Sequence, residues 1–190
     1  MSSPIIKVSH NSDNPVVIQA LELVKWAINE REFHEYILNF RNQYGRKQFL
    51  QTTETNARVL ERLINGSERG STVDNEWDFI IDQFESNGSL IAYVDDNGTV
   101  INLNSEYMDR SIAEVCNTLV HEYCHLVGLT HSFLDPGRNI WSQTAPYAIG
   151  QYIQYMVERK LGIESKPPFY PKASLGRRVV YKIKKLFRMC

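Results

Sequence analysis

The sequence predicts an α+β domain, because helical and strand-like hydrophobic patterns occupy different parts of the 190-residue chain. Apolar residues recur at helical spacing in residues 15–30, in residues 54–67 and again after residue 110. Between the last two, "WDFIIDQF", "SLIAYV" and "TVINLN" are short, rich in β-branched and aromatic residues, and bounded by turn residues. Helices and strands that are segregated along the chain are typical of the α+β class.

Local signals place most of the individual elements. Pro15 suits the first turn of the helix at residues 15–30, and Gly66 marks the end of the helix at residues 54–67. We predict a short strand at residues 47–53, "KQFLQTT". The turn "DDNG" indicates a hairpin between residues 89–94 and 99–104. A helix from about residue 110 to 127 and a closing helix at residues 146–161 complete the set.

Composition and charge indicate a folded acidic domain followed by a basic tail. Hydrophobic residues make up 43% of the chain and charged residues 23%, which excludes a disordered protein. We predict a folded domain at residues 1–163, a proline-containing linker at 164–176 and a basic amphipathic tail at 177–190. Residues 1–176 hold 15 basic and 22 acidic side chains, a formal charge of −7, so we expect no nucleic-acid partner.

The tail alternates cations with apolar residues. It could therefore lie as an amphipathic helix on an anionic membrane, or pack on the acidic domain. The sequence has neither a signal-peptide pattern nor the roughly 20 apolar residues that cross a membrane, so we expect a cytoplasmic location or export by a non-classical route. Cys116, Cys124 and Cys190 cannot all pair within the chain, and we expect reduced thiols, with Cys124 in the core.

The segment "HEYCHLVGLTH" at residues 121–131 holds three of the five histidines of the chain. Residues four apart in a helix project from one face, so His121 and His125 point to one place, with Glu122 at the edge of that face. Gly128 lies where a left-handed residue can end the helix sharply and let the chain return with His131. Three imidazoles with one open position are the donor set of a catalytic zinc site.

The alternative is a polar stripe on a solvated surface helix. The rest of the segment argues against it, because most of the helix is apolar. The stripe must then face a cleft, an ion or internal partners, since burying unpaired polar groups is costly. Its members, at spacings of three and four, are Glu114, Thr118, His121, Glu122 and His125.

The segment matches H-E-x-x-H-x-x-G-x-x-H and thereby resembles the zinc-binding motif of the metzincin metallopeptidases. The resemblance implies His121, His125 and His131 as ligands of one catalytic Zn²⁺, Glu122 as the general base and Gly128 as the turn residue. It implies a zincin-like fold, with a small mixed twisted sheet, backing helices, an active-site helix and a C-terminal helix around a zinc cleft. It also implies hydrolysis of peptide bonds in a protein or peptide substrate, and we expect a monomer.

One departure marks a divergent member. Metzincins carry a methionine-containing turn shortly before the closing helix, and no methionine of this chain is well placed for it. The corresponding segment, "TAPYAIG", resembles a "VPYAIG"-like turn of small uncharacterised bacterial proteins that share the zinc motif. Within it, Tyr147 could donate a hydrogen bond to a developing oxyanion, or it could pack in the core.

Other interpretations stay open. Bacterial rRNA-maturation endoribonucleases share the spacing of the histidines and the glycine, but lack the glutamate and act on a polyanion. A zinc-bearing interaction or toxin-like domain without turnover would carry the same ligands. Glu158 on the closing helix could replace His131 as the third ligand. The hairpin at residues 90–104 could offer a strand edge to an extended peptide, or be simply internal.

Overall fold

The computed structural model describes residues 5–66, 68, 73–131 and 142–168. Within them helices and short strands are combined, which confirms the α+β class. The helices are α1 (Pro15–Ile28), α2 (Arg31–Asn39), α3 (Asn56–Asn65), α4 (Ile112–Leu126) and α5 (Ala145–Lys160), and the strands are β1 (Lys7–His10), β2 (Glu76–Phe79), β3 (Ile81–Phe84), β4 (Ala92–Val94) and β5 (Ile101–Asn104).

The strands form two small sheets instead of the single mixed sheet that was expected. β1 pairs in parallel with β2, and the second sheet has the order β3-β5-β4, parallel on one side of β5 and antiparallel on the other. The segment "WDFIIDQF" is therefore two strands, because the chain changes partner at Ile80. The carbonyl of Ile80 accepts a hydrogen bond from the Ile101 amide at 2.9 Å. The amide of Ile81 donates to Asn11 Oδ1 at 2.8 Å.

The predicted hairpin is confirmed and joins β4 to β5. The Asp95 carboxylate accepts hydrogen bonds from the amides of Thr99 and Val100, each at 2.7 Å, and thereby holds the turn. These backbone hydrogen bonds also lower the pKa of Asp95. β4 is the outer strand of its sheet, with β5 as its one neighbour among the described strands.

The predicted strand at residues 47–53 is wrong. These residues contribute a single bridge, between Leu50 and Thr144, and the β-like composition reflects burial of a side chain rather than a ladder. Phe49 is fully buried and stacks on Phe40 with ring centroids 4.1 Å apart. The reverse error occurs at the start of the chain, where β1 was not predicted.

α4 and α5 pack closely against each other. A Cβ atom at Gly150 would lie 2.9 Å from the backbone oxygen of Asn117, so only glycine fits at this crossing. Ser111 begins α4 in a reciprocal capping arrangement with Glu114. Most of α4 is buried, as its apolar composition predicted. Cys116 and Cys124 are buried free thiols, so both expectations for these two residues are confirmed.

The structure tests only some of the predictions for the C-terminal residues, because its description ends at residue 168. α5 ends at Lys160, and no further helix or strand occurs up to residue 168. The tail at 177–190, with Cys190, and most of the linker lie outside the described residues, so the membrane contact stays a prediction. In the described part of the chain, no helix has the length and apolar character needed to cross a membrane.

Candidate metal centre

The structure brings His121, His125 and His131 together. Each offers one ring nitrogen, and these nitrogens all lie within 4.8 Å of one another. The Nε2 atoms of His121 and His131 are 3.2 Å apart. Two nitrogens that bind one tetrahedral zinc ion at ~2.0 to 2.1 Å lie about 3.3 to 3.4 Å apart. This pair of imidazole nitrogens therefore lies close to the spacing that a shared metal ion requires.

The local fold explains how a helix delivers three ligands. His121 and His125 lie one turn apart on α4, which ends at Leu126, and Gly128, two residues later, has a left-handed φ of +79°. The Leu129 amide donates back to the carbonyl of Cys124 at 2.8 Å, which reverses the chain. His125 Nδ1 lies 2.8 Å from the Leu129 carbonyl, so Nδ1–H is the donor and Nε2 keeps its lone pair for a metal.

A residue of α3 fixes this turn from outside. Arg62 donates from Nη1 to the carbonyl of Val127 at 2.9 Å, and its other terminal nitrogen pairs with Glu54. A Cβ atom at Gly128 would approach Nη1 to 3.1 Å, so the guanidinium lies directly against the glycine. Arg62 was not predicted, because nothing in its local sequence pattern links it to a motif some sixty residues later.

Replacing Arg62 with methionine is expected to weaken metal binding at the three histidines by about 10- to 100-fold, since outer partners that orient a metal site contribute that much. The turn that presents His131 would lose its external hydrogen bond. Arg58→Met is the matched control, because Arg58 lies on the same helix in an exposed pair with Glu61. Competition titration with a zinc chelator measures the affinity of both variants for zinc. Equal affinities in the two variants would contradict a role for Arg62.

The three imidazoles are held in the neutral form that binds metals. Burial lowers the pKa of His121 to about 3 and that of His125 to about 4, and the neighbouring histidines add to both shifts. Burial also lowers the pKa of His131. Because a metal competes with protons for the same nitrogens, low pKa values leave the site ready for a cation at neutral pH.

Glu122 lies beside the histidines but outside the group of candidate ligands. The residue is only 7% exposed and lines the same cleft as the three imidazoles. Burial raises the pKa of this carboxyl to about 7. A nearby cation would favour the ionised form of Glu122 and thereby lower its pKa again.

The raised pKa of Glu122 predicts how the folding stability of the metal-free protein changes with pH. Between pH 4.5 and about 7 the folded state binds this proton more tightly than the unfolded state does, so the native chain loses stability as pH rises through that window. Glutamine has no such proton. Glu122→Gln is therefore expected to be more stable than the native chain at pH 8, by on the order of 1 to 3 kcal/mol, and about equal to it at pH 5. Urea unfolding at both pH values measures the difference, and a pH-independent difference would contradict this origin.

The histidines stand in a cleft of about 780 Å³ whose walls come from three elements. One wall is the segment at residues 89–95 with β4, the second is α4, and the third is the start of α5. Tyr147 belongs to this last wall. Its ring centroid lies 4.4 Å from that of His121 and 4.9 Å from that of His131.

Of the two positions that the sequence left open for Tyr147, the structure places it at the cleft and not in the hydrophobic core cluster. Burial, with a contribution from Glu122, raises the pKa of the phenol, so it stays protonated at neutral pH. Glu158, the other proposed third ligand, is not in the histidine group. It instead accepts a hydrogen bond from Gln154 at 2.8 Å.

Comparison of the chain with protein-family models, with curated proteins and with solved structures finds no match. The class of this protein therefore has to be defined from its own fold and site residues. The chain is an α+β protein with a three-histidine candidate metal site in a cleft. The residues that line the site fit a metal ion by donor type and spacing.

Proposed function

We propose that the chain is a zinc-dependent metallopeptidase, with His121, His125 and His131 as ligands of one ion and Glu122 as general base. The observation that carries the proposal is the pairing of three neutral imidazoles with a buried carboxyl in one cleft. The donor set favours zinc, because imidazole suits this ion and three protein ligands leave a position open. The complete metzincin motif points the same way.

Each residue has a distinct task. Zinc, when bound, would polarise the scissile carbonyl and lower the pKa of a water molecule. The Glu122 carboxylate accepts the proton of the attacking water and returns it to the leaving amine. The Tyr147 phenol, which stays protonated, can donate a hydrogen bond to the developing oxyanion. Its ring centroid lies 4.4 Å from that of His121, and its segment is the one that corresponds in sequence to the methionine-containing turn of metzincins.

The cleft also suits an extended substrate. β4 lines it over its whole length and has one neighbouring strand among the described residues. Its other edge can therefore pair with a peptide backbone, whose side chains would alternate between the cleft and solvent. An extended peptide on β4 would pass in front of the histidines, because α4 faces this strand.

Two alternatives are less well supported. An endoribonuclease with the same histidines would not need Glu122 and would act on a polyanion, which the acidic body repels. A zinc-bearing interaction domain would not need a buried carboxyl with a raised pKa beside its ligands. Proton-transfer groups with such pKa values are typical of catalytic sites.

The test is to incubate the zinc-loaded chain with an unfolded protein substrate and, in parallel, with structured RNA. We expect cleavage of the protein, intact RNA, loss of activity after chelation and recovery with added zinc. RNA cleavage alone would identify a nuclease. Stoichiometric zinc without cleavage of either substrate would identify a binding domain.

A further inference from the structure

Arg110 lies at the end of the cleft that is remote from the histidines. It directly precedes Ser111, the N-cap of α4, and its side chain lines the cleft together with Asn117 and Thr118. It is the one lysine or arginine among the described residues that line this cleft. From Ile112 to His121 α4 rises about 14 Å at 1.5 Å per residue, and Arg110 lies two residues before the helix begins.

The guanidinium is held in place but incompletely satisfied. Nε donates to the carbonyl of Tyr107 at 2.8 Å, which fixes the orientation of the group. Nη2 is buried and has no acceptor among the described residues. Burial correspondingly lowers the pKa of Arg110, yet the group stays charged at neutral pH because an arginine is not deprotonated in proteins.

The nearby acids do not neutralise this cation by direct contact. Glu114 and Asp109 act on Arg110 only at longer range. The Glu114 carboxylate is already engaged by Ser111, through its amide at 3.1 Å and its hydroxyl at 2.8 Å. Asp109 is exposed. Asp95 also lines the cleft, but its carboxylate is committed to the amides of its own turn.

A charged guanidinium in the wall of a cleft attracts anions, because charge-assisted hydrogen bonds are stronger than neutral ones. Because Nε donates to Tyr107 and Nη2 is buried, a carboxylate in the cleft would meet the remaining part of the guanidinium and its charge. None of the described acids that line the cleft forms an ion pair with this cation, so a carboxylate of a bound molecule can serve as its counter-charge.

We propose that Arg110 binds a carboxylate of the peptide substrate, from an acidic side chain or from a free C-terminus, at a subsite remote from the metal. This inference rests on the proposed peptidase function and gives it a substrate class. At ~3.3 Å per residue of extended peptide, this length of helix together with the two residues before it corresponds to about five residues. The recognised carboxylate therefore lies about five residues from the scissile bond.

The experiment uses neutral peptides in which a single Glu or its Gln counterpart is moved through the six positions on either side of the scissile bond. The native chain is expected to prefer Glu near the fifth position by about 10- to 100-fold in kcat/KM, the size of a charge-assisted pair. In Arg110→Gln the Glu-to-Gln ratio is expected to fall to about one. Arg58→Gln, which removes the same charge from an exposed site on α3, should keep the native ratio. Peptides with free and amidated C-termini separate the two sources of the carboxylate.

Binding of the same peptides to zinc-loaded Glu122→Gln, followed by fluorescence anisotropy, separates this inference from the proposed function. A Glu preference in binding that requires Arg110, without cleavage by the native chain, would support the subsite and contradict the peptidase. Cleavage with a ratio near one at every position, or a preference that survives Arg110→Gln, would overturn the subsite alone. A native chain that neither cleaves nor binds any peptide would overturn both.

Discussion

Replacing Glu122 with glutamine is expected to lower kcat/KM for peptide cleavage by about 10²- to 10⁴-fold, the usual contribution of a positioned general base. Glutamine keeps the shape of the side chain but cannot accept the proton of the attacking water. Zinc should remain bound at native stoichiometry, because Glu122 is not in the group of candidate ligands. Peptide cleavage and elemental analysis of the same preparation measure the two properties.

Glu158→Gln is the matched control for this substitution. Glu158 lies on α5, where it accepts a hydrogen bond from Gln154, and it is not in the histidine group. The control should retain both activity and zinc. A Glu122→Gln protein with full activity would show that another group accepts the proton, and one without zinc would show that Glu122 is a ligand.

Replacing His131 with alanine is expected to lower zinc affinity by more than about 100-fold, since it removes one of three ligands and even outer-shell changes cost 10- to 100-fold. Activity should fall with metal occupancy. The same result is expected for His121 and His125. Chelator competition measures the affinity, and thermal unfolding without metal verifies that each variant is folded.

His10→Ala is the control for the loss of an imidazole, because His10 is exposed on β1, outside the cluster. It should bind zinc with native affinity. Native affinity in His131→Ala would contradict the three-histidine site, since the return of the chain at Gly128 would then serve no ligand.

The sequence predicted the parts of the molecule that local geometry controls. The period of α4 places His121 and His125 on one face, and Gly128 adopts the left-handed conformation that returns His131. Gly66 ends α3 in the same conformation, with φ +58°. The "DDNG" turn forms its hairpin because Asp95 binds the amides on the far side of the turn. Each of these depends on residues at most ten positions apart.

The features that were missed depend on partners distant in sequence. No periodicity near Ile80 shows that the chain pairs with β1 before it and with β5 after it. Residues 47–53 have strand composition, but find Gln143 and Thr144 as neighbours instead of a ladder. Arg62 reaches the end of α4 from another helix. Arg110 has the sequence of an ordinary helix start, and only the fold shows that it lines the cleft.

X-ray absorption spectroscopy at the zinc edge of the loaded chain tests the three-histidine site most directly. We expect three imidazole nitrogens at ~2.0 to 2.1 Å with one further light ligand, and one fewer imidazole in His131→Ala. A sulfur shell near ~2.3 Å, which would indicate a cysteine ligand, or a spectrum unchanged by His131→Ala would contradict the site.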